Sequence, residues 1–165
     1  MFDLSPENIA LGIVGLLILT IILLAITKRH GRYPYFAQEF LLTKAEQKFY
    51  GVLKAVAKNK YEIACKARLA DIINCSDINW RKGYGGQIAC KHIDFVLFDP
   101  RTSKILLAIE LDDKSHDTPA RQKRDKFVNK AMQVAGVTLL HFKVEWGYDM
   151  ARLDKEITLG LKNAK

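Results

Sequence analysis

Carboxylates gather within two apolar segments of the chain, in the stretch from Lys91 to His116. Asp94 lies inside the first segment, and Glu110, Asp112 and Asp113 end the second. Because side chains alternate between the two faces of a strand, Glu110 and Asp112 share a face. Crowding carboxylates among Ile, Leu, Val and Phe costs free energy unless a cation or hydrogen bonds compensate. The sequence therefore predicts an acidic pocket at a sheet edge.

Such a pocket has the donor chemistry of a Mg²⁺ or Mn²⁺ site. Mg²⁺ prefers a few carboxylates plus waters, and it assists phosphodiester hydrolysis by stabilising charge and activating a water. The predicted ligands are Asp94, Glu110, the backbone carbonyl of Leu111, and Asp112, which binds directly or through water. His116, just beyond the second strand, is a candidate proton shuttle. In the alternative, the strand end is solvated and Asp94 pairs with a nearby arginine.

The elements around this stretch alternate between helical and strand patterns. Hydrophobic periodicity and capping residues predict the following segments: a helix over Thr43–Asn59, a strand over Tyr61–Lys66, a short helical turn over Leu69–Ile73, a helix from Thr118 and Pro119 to Ala135 stopped by Gly136, a strand over Val137–Phe142 and a helix over Asp149–Leu161. With the two central strands, this order predicts an α/β domain whose mixed sheet is covered by helices on both faces.

Glu46 has two interpretations. Thr43 and Glu46 have the S/T-x-x-E spacing of a capping box, which assigns the glutamate to the start of a helix. The alternative is a catalytic carboxylate, and the spacing favours the cap.

Two basic regions flank the acidic stretch. Asn79–Gln87 is predicted to be a glycine-rich loop, and its cations and aromatic rings are candidates for nucleic-acid contact: Trp80, Arg81, Lys82 and Tyr84. The alternative is a polar hairpin loop with incidental aromatics. The second region is the first turns of the following helix, Arg121–Lys130, which are rich in Arg and Lys. The formal net charge of +8 fits a polyanionic partner, either nucleic acid or an anionic membrane surface.

The N-terminal segment Ile9–Ile26 has no charged residue and is long enough for a transmembrane helix. Acidic residues precede it and a basic cluster follows, which argues against a cleaved signal peptide and keeps the C-terminal side in the cytoplasm. The three isolated cysteines fit a reducing compartment. We therefore predict a single-pass anchor over residues 1–27 with its N-terminus outside, a juxtamembrane linker over 28–41 and a cytoplasmic domain over 42–165.

The element order, with Asp94 and Glu110 on adjacent strands, resembles the PD-(D/E)XK, or restriction-endonuclease-like, superfamily. The E-x-D-x-x-x-H run of Glu110, Asp112 and His116 resembles the very-short-patch-repair endonuclease-like domains and an uncharacterised bacterial family close to them. The resemblance covers about residues 42–161. It implies an α-β-β-β-α-β core and Mg²⁺-dependent cleavage of DNA, with Asp94 and Glu110 as metal ligands.

One position departs from the superfamily signature, which has Lys two residues after the glutamate where this chain has Asp112. Two nearby residues are candidates for the missing role: Lys114 as a stabiliser of the transition state, or His116 as general base. Gln122 and Asp125 lie one helical turn apart and are candidate supports for His116 or the metal shell. Their alternative is an ordinary solvent-facing helix surface.

Together these features predict a DNA endonuclease anchored in a bacterial inner membrane, with RNA as a further possible substrate. Arg121, Lys123 and Arg124 are expected to contact the nucleic-acid backbone. The alternative is a catalytically inactive nucleic-acid-binding module tethered to the same membrane. A third hypothesis is a membrane-bound protein-interaction domain without nucleic acid.

Overall fold

The chain forms two compact units, Met1–Glu39 and Phe40–Lys165. The computed structural model describes residues 5–29, 33–113 and 118–163. Two of the predicted site residues, Lys114 and His116, lie outside the described residues.

Helix α1 (Pro6–Arg29) occupies the first unit. Its segment Pro6–Ile26 has a mean hydropathy of 3.1, and by length and composition it is able to cross a membrane. At 1.5 Å per residue, a segment of this length spans roughly 30 Å, the thickness of a bilayer's hydrocarbon core. The predicted apolar N-terminal helix is therefore confirmed, while its orientation remains a prediction.

The second unit contains helices on both sides of a central sheet. In chain order its elements are α2 (Lys44–Ala57), β1 (Glu62–Arg68), α3 (Leu69–Ile72), α4 (Asp77–Arg81), α5 (Tyr84–Ala89), β2 (His92–Phe98), β3 (Ile105–Asp112), α6 (Pro119–Val134), β4 (Leu139–Lys143) and α7 (Met150–Asn163). Helix α6 begins as predicted, because the Thr118 hydroxyl accepts a hydrogen bond from the Arg121 N–H and Pro119 follows the cap.

The four strands form one mixed sheet in the order β1-β2-β3-β4. β1, β2 and β3 pair antiparallel, whereas β3 and β4 pair parallel, with α6 as the crossover between them. The predicted α/β domain with a mixed sheet is therefore confirmed.

Two hydrophobic clusters cover the two faces of this sheet. The first joins strand residues to α2 and α7, with a core that includes Phe49, Leu53, Phe95, Leu107, Leu153 and Ile157. The second joins the sheet to α3, α5 and α6, with a core that includes Leu69, Ile88, Ile93, Val96, Val128 and Met132. Burial on both faces explains why β2 and β3 are nearly continuous apolar runs in which a carboxylate is conspicuous.

The prediction of a loop over Asn79–Gln87 is wrong, because this stretch contributes to the two short helices α4 and α5. The Ser76 hydroxyl caps α4 by accepting a hydrogen bond from the Asn79 N–H. Gly83, with φ +97°, then allows the chain to turn into α5. A Cβ at Gly85 would lie 2.1 Å from the Trp80 ring, so this glycine makes room for the indole. These glycines therefore serve local packing.

Candidate functional site

Strands β2 and β3 separate at the position of Asp94. Their ladder reaches the pair Phe95↔Ile109, and in the described residues no pair follows it on that side. The Asp94 carboxylate fills the gap, because its Oδ2 accepts a hydrogen bond from the Leu111 N–H at 3.0 Å. The side chain thus replaces a strand partner, and the carboxylate sits at the fork between the two strands.

Glu110 lies at the same fork, on β3. Its side chain is only 11% exposed, and its carboxyl is close enough to share a hydrogen bond with Asp94. Arg124 of α6 reaches it from the opposite side, with Nη2 at 3.3 Å from Oε1. The same guanidinium also donates to the His92 carbonyl and to Asp125, each at 2.9 Å. The two predicted metal ligands are therefore brought together, and an arginine borders them.

Lys66 of β1 provides a second cation at the fork. Its Nζ donates to Asp94 Oδ1 at 2.9 Å and to Glu46 Oε1 at 2.5 Å. Lys66 lies opposite Asp94 in the β1–β2 register, between the pairs Cys65↔Phe95 and Ala67↔Ile93. Its φ is +55°, a left-handed conformation that side chains other than glycine rarely adopt and that is costly within a strand. The fold holds this strained residue where its ammonium group joins two carboxylates.

Glu46 belongs to the site and to the helix cap at once. Its Oε2 accepts a hydrogen bond from the Thr43 N–H at 2.9 Å, while the Thr43 hydroxyl accepts one from the Glu46 N–H, so the predicted capping box is confirmed. The other carboxylate oxygen binds Lys66. The cap therefore fixes the orientation of a carboxylate that also anchors the ammonium group.

Burial and charge determine the protonation of this cluster. Desolvation, reinforced by the neighbouring Asp94 carboxylate, raises the pKa of Glu110 to about 8, although Arg124 opposes the shift. Burial alone would lower the pKa of Lys66, but its hydrogen bonds to Glu46 and Asp94 outweigh that effect and raise it. At neutral pH the site therefore contains a protonated Glu110 and a positively charged Lys66.

These residues open into a cleft of about 590 Å³. Its walls come from the start of α2, the fork and the start of α6, and the lining residues include Thr43, Glu46, Asp94, Glu110, Leu111, Asp113, Arg121, Arg124 and Val144. A solute that enters this cleft therefore meets both the carboxylate pair and two arginines.

Of the other predicted site residues, Asp112 and Gln122 lie outside the cleft lining, whereas Asp125 is close enough to Glu110 for its charge to raise the Glu110 pKa. The Asp112 carboxylate is about half exposed and faces His141, whose Nδ1 is 3.2 Å from Oδ1. His141 Nε2 lies 2.8 Å from Asn129 Oδ1, so this group connects β3, β4 and α6 outside the cleft lining. Asp125 binds Arg124, and Gln122 is exposed on α6. Of the predicted polar set, Asp94, Glu110 and Glu46 are brought together.

The predicted nucleic-acid residues fall into two groups. Arg121 and Arg124 line the cleft, while Lys123 is exposed on the same helix. Trp80 and Tyr84 do not line it, and Tyr84 borders a second cleft of about 530 Å³ with Phe127 and Lys130. Arg81 and Lys82 are exposed at the end of α4.

The donor chemistry at the fork suits a hard divalent cation with few protein ligands. Asp94, Glu110 and the Leu111 carbonyl are the candidate oxygen ligands. Burial disfavours the ionised form of Glu110, and a bound cation would compensate its negative charge. In the described parts of the chain, no group of three or more His, Cys, Asp or Glu side chains is arranged to hold a metal. A metal here would therefore keep several waters, as Mg²⁺ does in many sites.

The raised pKa of Glu110 predicts a pH-dependent stability. An ordinary glutamate pKa of 4.5 becomes about 8 in the fold, so the folded state holds this proton more tightly. Its stabilising contribution is complete below pH 4.5 and is lost as the pH rises through 8. Between these limits, the free energy of unfolding of wild-type should fall relative to that of Glu110→Gln by roughly 1 kcal/mol per pH unit. Urea denaturation of the full chain in detergent, at several pH values, measures the difference.

Glu62→Gln is the matched control, because it makes the same substitution at an exposed position of β1. Its stability should follow the wild-type pH profile. Parallel profiles for wild-type and Glu110→Gln would show that Glu110 does not hold a proton at neutral pH.

Comparison with known proteins gives one match. A family model described as "Protein of unknown function (DUF2726)" matches residues 38–160, which include every element from α2 to β4 and most of α7. Searches of curated proteins and of solved structures gave no match. Because the family model covers most of the chain, this protein belongs to the DUF2726 family of proteins of unknown function.

Proposed function

We propose that this protein is a membrane-anchored, Mg²⁺-dependent DNA endonuclease with a restriction-endonuclease-like core. The observation that carries the proposal is the convergence of the Asp94 and Glu110 carboxyls where β2 and β3 separate. The order of α2, three antiparallel strands, α6 and the parallel strand β4 supports the same core. The Met1–Glu39 unit, with its apolar helix, supports the membrane anchor, and the basic residues after that helix support a cytoplasmic domain.

Asp94, Glu110 and the Leu111 carbonyl would hold the metal. A bound Mg²⁺ would neutralise charge on the scissile phosphate and lower the pKa of a water. Asp94 is already oriented for this role by the Leu111 N–H, while Glu110 must release its proton. His116 remains a predicted proton acceptor outside the described residues.

Lys66 takes the place of the lysine that the superfamily signature has at position 112. Its ammonium group reaches Asp94 from β1, and its raised pKa keeps it charged. Lys66 therefore stabilises negative charge that develops on the phosphate, and it does not act as a base. In this proposal the cation comes from β1, on the far side of β2 from the Glu110 strand, so Asp112 has no catalytic role.

The cleft wall would hold the substrate backbone. Arg121 and Arg124 lie at the start of α6, where they border the cleft above the carboxylate pair. A guanidinium forms paired hydrogen bonds with phosphate, so these two residues position the scissile linkage. The basic face of α6 extends this contact through Lys123.

The second candidate is a catalytically inactive nucleic-acid-binding module at the membrane. The observation that favours it is the presence of two cations at the fork, because Lys66 already compensates Glu46 and Asp94, Arg124 borders Glu110, and Glu110 keeps a proton. Such a site is satisfied without a metal.

Calorimetric titration of the full chain with Mg²⁺ and Mn²⁺ separates the two candidates. The endonuclease should bind either metal at the fork and release the Glu110 proton below pH 8, so the heat should depend on the ionisation enthalpy of the buffer. Glu110→Gln should abolish this buffer dependence. An absence of binding heat in wild-type would favour the inactive module.

The nuclease proposal predicts Mg²⁺-dependent cleavage of at least one DNA form. Duplex, mismatched, branched and single-stranded DNA should be incubated with the full chain, and product formation should fall by more than about 100-fold in Asp94→Asn and in Glu110→Gln. Asparagine is preferred at position 94 because its amide oxygen still accepts the Leu111 N–H. Asp71→Asn, an exposed carboxylate paired with Arg68, is the matched control. The proposal is overturned if wild-type cleaves none of these DNA forms, or if the Asp94→Asn and Glu110→Gln variants cleave as well as wild-type.

The assignment of Lys66 predicts a loss of rate without a loss of metal affinity. Lys66→Met keeps the length of the side chain but removes the charge, and we expect kcat to fall about 100-fold, as when a transition-state hydrogen-bond donor is removed. Metal affinity should be equal or higher, because Asp94 and Glu46 lose a competing cation. Lys60→Met, at an exposed position, controls for the net charge. An unchanged kcat in Lys66→Met would contradict the assignment.

A further inference from the structure

Trp146 is exposed to an unusual degree for a large aromatic residue. It lies in the loop between β4 and α7, and 94% of its surface is accessible. An indole left in water loses the free energy that burial would give it. The fold therefore gains little from burial of Trp146, and the ring is accessible to a ligand.

The loop that carries Trp146 is tied to the domain on both sides of the indole. The Glu145 N–H donates a hydrogen bond to the Tyr148 hydroxyl at 3.2 Å, and the Tyr148 ring packs edge-on against the buried Phe49 with centroids 5.1 Å apart. Arg152 of α7 pairs with Glu145 at 3.5 Å. The outward position of the indole is therefore built into a constrained loop.

A cation accompanies the ring beside the cleft. Lys48 of α2 places its Nζ 4.5 Å from the centroid of the Trp146 ring. Lys48 lies one helical turn after Ala45, and Trp146 lies two positions after Val144; Ala45 and Val144 both line the cleft. An aromatic ring and an ammonium group thus lie close in the chain and on the helix to residues that line the cleft.

We propose that Trp146 and Lys48 form a stacking subsite for an unpaired nucleobase adjoining the cleft. The inference rests on the proposed nuclease function and narrows its substrate to DNA that is single-stranded or locally opened at the site of cleavage. A nucleobase stacks on an aromatic ring with little sequence preference, and a lysine beside the ring meets the adjacent phosphate. A base inside a duplex has both faces covered and does not reach Trp146 without leaving the stack.

The test measures binding separately from cleavage. The full chain in neutral-lipid nanodiscs, with EDTA present, is titrated with labelled 12-nucleotide oligothymidylate or with a hairpin duplex. Trp146→Ala should weaken oligothymidylate binding roughly tenfold, and Trp146→Phe should weaken it less. Leu159→Ala, a half-exposed residue of α7, is the matched control and should have no effect. The affinity for the hairpin should change less than twofold in every variant.

A fluorescence experiment tests the contact directly. The chain has two tryptophans, so Trp80→Phe leaves Trp146 as the reporter. The oligothymidylate affinity of this variant serves as the reference for its own quenching. Oligothymidylate should quench this fluorescence, because a base stacks on the indole. If brominated lipid vesicles quench this fluorescence and oligothymidylate does not, Trp146 is a membrane contact and the proposal is overturned.

The remaining outcomes distinguish this inference from the proposed function. If wild-type cleaves DNA in a manner that depends on Asp94, and Trp146→Ala leaves the affinity for oligothymidylate unchanged, only the stacking subsite is overturned. A selective loss of oligothymidylate binding in Trp146→Ala supports the subsite even if the wild-type chain cleaves nothing, in which case only the nuclease function fails.

Discussion

A carboxyl group buried beside another carboxylate is the constraint on which this domain depends. Glu110 is taken out of water next to Asp94, and ionisation of both would place two like charges in a poorly hydrated fork. The surrounding residues compensate with a backbone N–H, an ammonium group and a guanidinium. Even so, Glu110 keeps its proton at neutral pH. At neutral pH the fork therefore contains a carboxylate and a neutral carboxyl group, and a cation that bound to both would have to displace the Glu110 proton.

Each compensating group comes from a different element of the fold. Lys66 is on β1, Arg124 is on α6 and Glu46 is in the first turn of α2. The two hydrophobic clusters hold these elements against opposite faces of the sheet, so the fork is completed only when both layers are packed. Electrostatics at the fork and packing in the two cores are therefore parts of the same cooperative structure.

Local patterns made the main features of this arrangement predictable. A strand period of two indicated Asp94 and Glu110, and the capping spacing located Glu46. Lys66 was missed, because its partner Asp94 is 28 residues away and its left-handed backbone breaks the alternation on which strand arguments rely. The available signal was a lone lysine within the otherwise apolar stretch Ile63–Ala67.

The pairing of Asp112 with His141 could not be predicted either, since it depends on the parallel register of β3 and β4. In the alternative interpretation Asp94 pairs with an arginine, whereas its cationic partner is Lys66 and Arg124 binds Glu110.

The backbone at Lys66 carries an implication for how such a chain changes over time. A left-handed residue other than glycine costs roughly 1 kcal/mol or more, so glycine at this position would relieve the backbone while discarding the ammonium group. It would also leave the Glu46 and Asp94 carboxylates without the cation that they share, and that loss costs stability in turn. Backbone strain at Lys66 and charge at the fork are therefore coupled, and a chain without the two carboxylates would have no reason to place a lysine in this conformation.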